Sequence, residues 1–121
     1  MANSIVHFEM PAKDAKRARG FYESVFGWSF RDAMPEFEYL MTEDVEPPGA
    51  VYAQQSSEQG PIVYFFADDI DAACAKVRDA GGEADDKQPI PEIGWFARCK
   101  DTEGNSFSLF QADDSVQPPS A

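Results

Sequence analysis

The chain has 121 residues, 43% of them hydrophobic and ten of them phenylalanine, enough apolar material for one packed domain and too much for a disordered chain. Its 22 acidic against 10 basic residues give a net charge of −12, which argues against nucleic acid and anionic membrane as partners, since both need clustered cations. No apolar run approaches the ~20 residues of a membrane span. The N-terminus lacks the charged, apolar and small-residue order of a signal peptide, so the cytoplasm is the expected location.

In chain order, residues 1–4 are a lead-in to a strand over about 5–10. Val6, Phe8 and Met10 take one face of it, and His7 and Glu9 the other. The period then changes. Ala15, Ala18, Tyr22, Val25 and Phe26 recur at spacings of three and four, which predicts a helix over about 14–26 with an apolar stripe. Asp14 suits its N-cap and Gly27 its left-handed stop. Short strands are expected at 28–31, 37–42 and 50–54, with a turn around Pro35 and a polar loop at 43–49 that Pro47 and Pro48 bar from a central strand. Residues 56–60 read as a linker.

The same order then repeats. Residues 61–66 are apolar enough for a strand, Asp68 and Asp69 open a helix, and Ile70, Ala73, Cys74 and Val77 form its stripe before Gly81 and Gly82. Strands near 83–85, 95–99 and 106–111 complete the copy, and the tail from Asp113 is expected to fray. Asp14 and Asp69, Gly27 and Gly82, and Gly49 and Gly104 are each 55 residues apart, which points to an internal duplication. The expected architecture is α+β: two tandem β-α-β-β-β modules, about 4–55 and 60–112, in one domain spanning 1–121. Their eight strands would form a cup-shaped sheet with the two helices on its outer face. Cys74 falls in the second helix and Cys99 in a strand, and both read as buried free thiols.

With this order in place, the chain resembles the vicinal oxygen chelate superfamily of glyoxalase I, extradiol dioxygenases and bleomycin-resistance proteins. His7, Asp14, Phe21-Tyr22 and Phe26-Gly27-Trp28 carry the resemblance in the first module. In the second it rests on residues 68–73, Gly81-Gly82 and the run from Asp101 through Gly104-Asn105 to Leu109. Phe-Gly-Trp at 26–28 and Gly-Trp-Phe-Ala at 94–97 are similar to the short, single-domain, glyoxalase-like branch. The resemblance implies a homodimer. In metal-dependent members, the first and last strands of each module hold a divalent ion that stabilises developing negative charge on substrate oxygens.

Carried over residue by residue, His7 matches the first-strand ligand. Its counterpart in the second module is Ile62, the last-strand glutamate falls at Ser108, and the fourth position falls at Tyr52 or Ala53. One ligand of four is left where a catalytic site takes three protein ligands. No cofactor is therefore expected, with His7 the one residue to ligate an ion if any does. Parity places His7 and Glu9, Ile62, Tyr64 and Phe66, and Ser108 toward the cup, with Trp28, Tyr39, Tyr52 and Trp95 as further candidates. Such a lining suits a small, flat or apolar organic molecule; the same aromatics could instead fill the cup or an interface. His7 and Glu9, about 6.5–7 Å apart along the strand, are the candidate acid–base pair, Glu9 raising the histidine pKa. The first expectation is a metal-free, ligand-binding, glyoxalase-like protein. The alternative is a metal-dependent lyase, isomerase or dioxygenase using His7.

Overall fold

The described residues form eleven elements, ten in the order the duplication requires and one, β7, added to it: β1 (Ile5–Ala12), α1 (Ala15–Phe26), β2 (Ser29–Asp32), β3 (Tyr39–Glu43), β4 (Gly49–Ala53), β5 (Ile62–Phe66), α2 (Ile70–Asp79), β6 (Glu83–Ala84), β7 (Gln88–Ile90), β8 (Gly94–Lys100) and β9 (Ser106–Ala112). This computed structural model describes residues 3–34, 37–56 and 60–117. The turn around Pro35 and most of the linker at 56–60 lie outside the described residues. The chain forms two compact units, Val6–Ile62 and the residues from Val63 onward together with 3–5. Residues 4 and 5, read as the start of the first module, lie with the second unit, and residues 60–62, read as the start of the second, lie with the first.

Within the first unit the strands run β2-β3-β4-β1, antiparallel except for the parallel β1–β4 pair. Within the second they run β6-β8-β9-β5, again antiparallel except for parallel β5–β9. The topology is thus repeated strand for strand, and each module is α+β with a mixed sheet. β7 is an addition that the sequence reading missed. It pairs antiparallel with β8 alone, and Pro89, which cannot donate to a ladder, is tolerated at such an edge.

Both helices start alike. Asp14 and Asp69 are extended (φ −132° and −136°), and their side chains accept from the N–H groups of Arg17 and Ala72. Each cap satisfies a donor that the first helical turn leaves unpaired. The helix ends differ. α1 stops at Gly27 with φ 69°, whereas after α2 the left-handed residue is Gly81 (φ 96°), not Gly82. Gly82 is small for another reason: a Cβ there would lie 2.6 Å from the Lys100 carbonyl oxygen.

Each helix buries a stripe against one sheet face. In the first module Ala15, Phe30, Leu40 and Val51 form the core, with Met10, Ala12, Ala18, Tyr22 and Trp28 packed around it. In the second, Ile70, Cys74, Ala97, Cys99 and Leu109 do so, with Phe65, Val77, Trp95 and Phe107 around them. The α2 stripe follows the expected spacing. The α1 stripe ends at Tyr22: Val25 and Phe26, expected inside, are 54% and 60% exposed. They belong to the last turn, where the chain already leaves the helix at Gly27.

The tail is also more ordered than expected. Val116 is buried, the Glu92 N–H donates to the Val116 carbonyl at 2.9 Å, and the Asp113 N–H donates to the Ile93 carbonyl at 2.9 Å. Fraying of residues 118–121 concerns positions outside the described residues.

Cys74 and Cys99 are buried free thiols. Burial raises both pKa values, that of Cys99 to about 11. Since the thiolate is the reactive form, a disulfide-exchange reagent at neutral pH should label neither cysteine in the folded chain and both after unfolding. Rapid labelling of the native protein would contradict this packing. Gly94 faces the Gln111 backbone so closely that a Cβ would lie 2.1 Å from its carbonyl oxygen. Gly94→Ala should cost about 1–3 kcal/mol through overpacking, seen as a melting temperature lower by roughly 4–12 degrees.

Candidate functional site

In the first module the helix takes the face carrying Met10, Ala12, Leu40 and Val51. Strand alternation therefore sends His7, Glu9, Tyr39 and Tyr52 to the opposite face. Register then brings them together. Tyr39 pairs with Tyr52 across β3–β4, and β4 lies parallel to β1 with Glu9 level with Ala50.

The Tyr39 hydroxyl lies between the other two polar groups. It is 2.9 Å from His7 Nε2 and donates to Glu9 Oε2 at 2.5 Å. His7 Nε2 and Glu9 Oε2 are themselves 3.9 Å apart, with side chains only 19% and 14% exposed. A proton count assigns the histidine tautomer. A phenol has one proton, and Tyr39 gives it to Glu9. His7 Nε2 must then donate to the phenol oxygen, which leaves Nδ1 as the basic nitrogen of the neutral ring. Aromatic rings flank this chain of bonds. His7 stacks near Tyr39 (centroids 6.5 Å apart), and Phe37, Tyr39 and Tyr52 stand 6.0–6.4 Å from one another. Phe37 was not among the sequence candidates, although it shares the parity of Tyr39.

The remaining candidates divide by face. In the second module the core takes Phe65, Leu109, Ala97 and Cys99, so Ile62, Tyr64, Phe66 and Ser108 lie on the opposite face. Tyr64 is level with Ser108, Phe66 with Phe110, and Arg98 pairs with Ser108. Ser108 is 1% exposed, and its hydroxyl has no hydrogen-bond partner among the described residues. Trp28 and Trp95 are not on these faces. Trp28 packs at 5.5–6.2 Å against the rings of Phe8, Tyr22, Phe26 and Phe30. Trp95 joins the second core, donates from Nε1 to Asp113 at 3.3 Å and carries Lys87 Nζ 4.7 Å above its ring.

Register also corrects one correspondence. Glu9 is level with Ala50, and its counterpart Tyr64 is level with Ser108. The equivalent of Ser108 in the first module is therefore Ala50, not Tyr52 or Ala53. By the same pairing Tyr39 corresponds to Phe96 and Tyr52 to Phe110. The second module thus holds Ile62, Tyr64 and Phe96 where the first holds His7, Glu9 and Tyr39.

Comparisons with known proteins agree with this fold. The bleomycin resistance protein-like N-terminal family matches residues 4–46. A glyoxylase-like domain-containing protein of Didymella fabae is 29% identical over 112 residues, which is 84% of this chain and 88% of that protein. CFP32 of Mycobacterium bovis, named after the glyoxylases, is 32% identical over 100 residues, 78% of this chain. The chain spans only 38% of the length of CFP32. A Streptomyces coelicolor methylmalonyl-CoA epimerase solved with 2-nitronate-propionyl-CoA superposes with a TM-score of 0.70 at 16% identity, covering 98% of this chain and all of that one. A superfamily protein from Vibrio splendidus gives 0.70 at 13%, covering 91% of this chain and 99% of that one. The structural likenesses are of fold. The chain belongs to the glyoxalase-like family.

A glyoxalase-like domain raises the question of a divalent ion. Among the described residues no three His, Cys, Asp or Glu side chains lie close enough together to hold one. His7 and Glu9 supply two donors, and the Tyr39 hydroxyl bonds to both. The donor set does not fit a resident ion with three protein ligands.

Burial lowers the His7 pKa below its ordinary 6.5, and the neighbouring Glu9 carboxylate, which raises it, does not compensate. The sequence reading named only the carboxylate; it could not weigh the desolvation that outweighs it. His7 is therefore neutral at pH 7. Unfolded chain takes up the proton first as pH falls, so this group's contribution to stability is complete above pH 6.5 and is lost as pH drops through the lower, folded pKa. Glu9→Gln removes the raising charge but keeps an acceptor for Tyr39. An NMR titration of the chain's one histidine should give a pKa below 6.5 in the parent protein and a lower one still in that variant.

Proposed function

We propose that the glyoxalase-like chain binds a small organic molecule without a metal ion, on the face that carries His7, Glu9, Tyr39 and Tyr52. The observation behind this reading is the half-buried, hydrogen-bonded chain from His7 through Tyr39 to Glu9, which the second module does without. A module of this fold packs with Ile62, Tyr64 and Phe96 at those positions, so stability does not require the polar trio in the first. Polar groups held in a half-buried, aromatic setting suit recognition of a flat molecule with one or two hydrogen-bonding groups. His7 presents its Nδ1 as acceptor or base, while Tyr39 and Glu9 fix the ring and stabilise the imidazolium that would form on proton uptake. In this reading the protein acts in the cytoplasm as a homodimer.

The test uses the imidazole resonances of His7 as reporter, with a panel of phenols, aromatic aldehydes and vicinal dicarbonyls. At least one class should move the His7 signals saturably, and Tyr39→Phe, which frees the His7 ring from the bond that fixes its orientation and tautomer, should weaken that binding about tenfold. A panel that leaves His7 unmoved counts against the proposal. Chelator-stripped protein should also melt unchanged with excess Ni²⁺, Zn²⁺, Co²⁺, Mn²⁺ or Fe²⁺. An ion at a hundred times its Kd would add ~2.7 kcal/mol, and such a rise, abolished by His7→Ala, would replace the metal-free reading with the metal-dependent one.

A further inference from the structure

The sheet face turned away from α2 differs in kind from its counterpart in the first module. On β8 the core takes Ala97 and Cys99, so Phe96, Arg98 and Lys100 turn to the open side. Register sets them in rows with β9 and β5. Arg98 is opposite Ser108, which is level with Tyr64, and Phe96 is opposite Phe110, which is level with Phe66. Since Tyr39 corresponds to Phe96, Arg98 and Lys100 stand where the first module holds Met41 and Glu43.

Three features of this face are not explained by the packing of the module. The first is charge. In a chain of net charge −12, this face carries two cations where the first module carries a thioether and a carboxylate. Arg98 is exposed, and among the described residues its guanidinium has neither a hydrogen bond nor an ion pair. Two acids lie along the same edge. Glu83 is opposite Lys100, and the Asp85 N–H donates to the Arg98 carbonyl, yet neither carboxylate forms an ion pair with the cation beside it. The second feature is where the guanidinium lies. Its carbon is 6.0 Å from the centroid of the Phe96 ring, at one end of an aromatic row whose other members, Phe110 and Phe66, are 6.4 Å apart. The third is Ser108. It is 1% exposed in the row between Arg98 and Tyr64, and its hydroxyl has no partner among the described residues. A buried hydroxyl left in that state costs stability, and the first module fills the equivalent place with Ala50.

A carboxylate accepts from a guanidinium and from a hydroxyl together, and the planar arginine fork matches its geometry. A flat apolar body packs on a row of phenylalanine rings. We infer that the open face of the second module binds an aromatic carboxylate. Arg98 and Ser108 donate to the carboxylate, Lys100 adds positive potential, and Phe96 and Phe110 carry the ring. The Arg98 side chain moves aside from Ser108 on binding, so that both donors reach one anion. This site lies within the second module and does not depend on the ligand reading of the first.

Titration of the full chain with 1-naphthoate, followed through its backbone amide NMR signals, tests the inference. The amides of residues 96–100 and 106–110 should shift saturably, with a Kd below about 1 mM. The neutral isostere 1-naphthamide should bind at least tenfold more weakly. Arg98→Met, which introduces the residue of the first module, should weaken naphthoate at least tenfold with an unchanged melting temperature. Ser108→Ala should weaken it about threefold or more while raising the melting temperature of the ligand-free chain, a combination that a purely structural serine would not give. Naphthoate that leaves these amides unmoved, or that shifts only signals of the first module, overturns the inference. So does an affinity no better than that of the amide, or one that neither substitution changes.

Discussion

Each strand residue must face one side of its sheet or the other, and in each module the helix claims one side. Most of the molecule's organisation follows from that constraint. The claimed side is filled by Leu40, Val51 and their neighbours in the first module, and by Ala97, Leu109 and the two cysteines in the second. The unclaimed side is where residues unneeded for that packing can be placed. His7, Glu9, Tyr39 and Tyr52 are there because they alternate with core residues on strands whose register is fixed. A slip of one residue would exchange the polar and apolar sets. The site therefore needs no scaffold beyond the one that builds the core.

Much of this was legible in the sequence, and the gaps have physical causes. Strand parity on β1, β5 and β9 needs only a period of two, so His7, Glu9, Tyr64, Phe66 and Ser108 could be assigned to a face. Caps and helix starts were legible because Asp14 and Asp69 are polar residues set before an apolar period. The fourth ligand position was misplaced because a repeat offset carried across loops of unequal length is not a register; only the pairing of Glu9 with Ala50 shows it. Trp28 and Trp95 lie near strand ends, where parity gave no assignment, and both joined a core. The bridging role of Tyr39 was illegible, because it depends on a hydroxyl reaching between two groups on another strand. The sign of the His7 shift was missed because charge can be read along a strand and burial cannot.

The duplication also limits what any single residue type can mean. Histidine at position 7 and isoleucine at 62, or phenylalanine at 21 and lysine at 76, occupy equivalent places in modules of the same topology. Whatever the module needs, it keeps in both copies: the aspartate cap, the inward stripe and the parallel first and last strands. What it holds in one copy only has another cause. This comparison is internal to one chain, so differences of solvent, expression and overall stability do not enter it.

The buried Val116 and the bond from Glu92 N–H to its carbonyl have a practical consequence for the second module's boundary. The last strand ends at Ala112, but the folding unit ends later, at a small latch that closes over the β7–β8 turn. A tag or fused domain joined after Gln117 would leave that latch in place. A junction cut at Ala112 would leave the Glu92 N–H and the Ile93 carbonyl without their backbone partners, and would remove the aspartate that holds the Trp95 indole. Designers of shortened versions should count the latch as part of the domain.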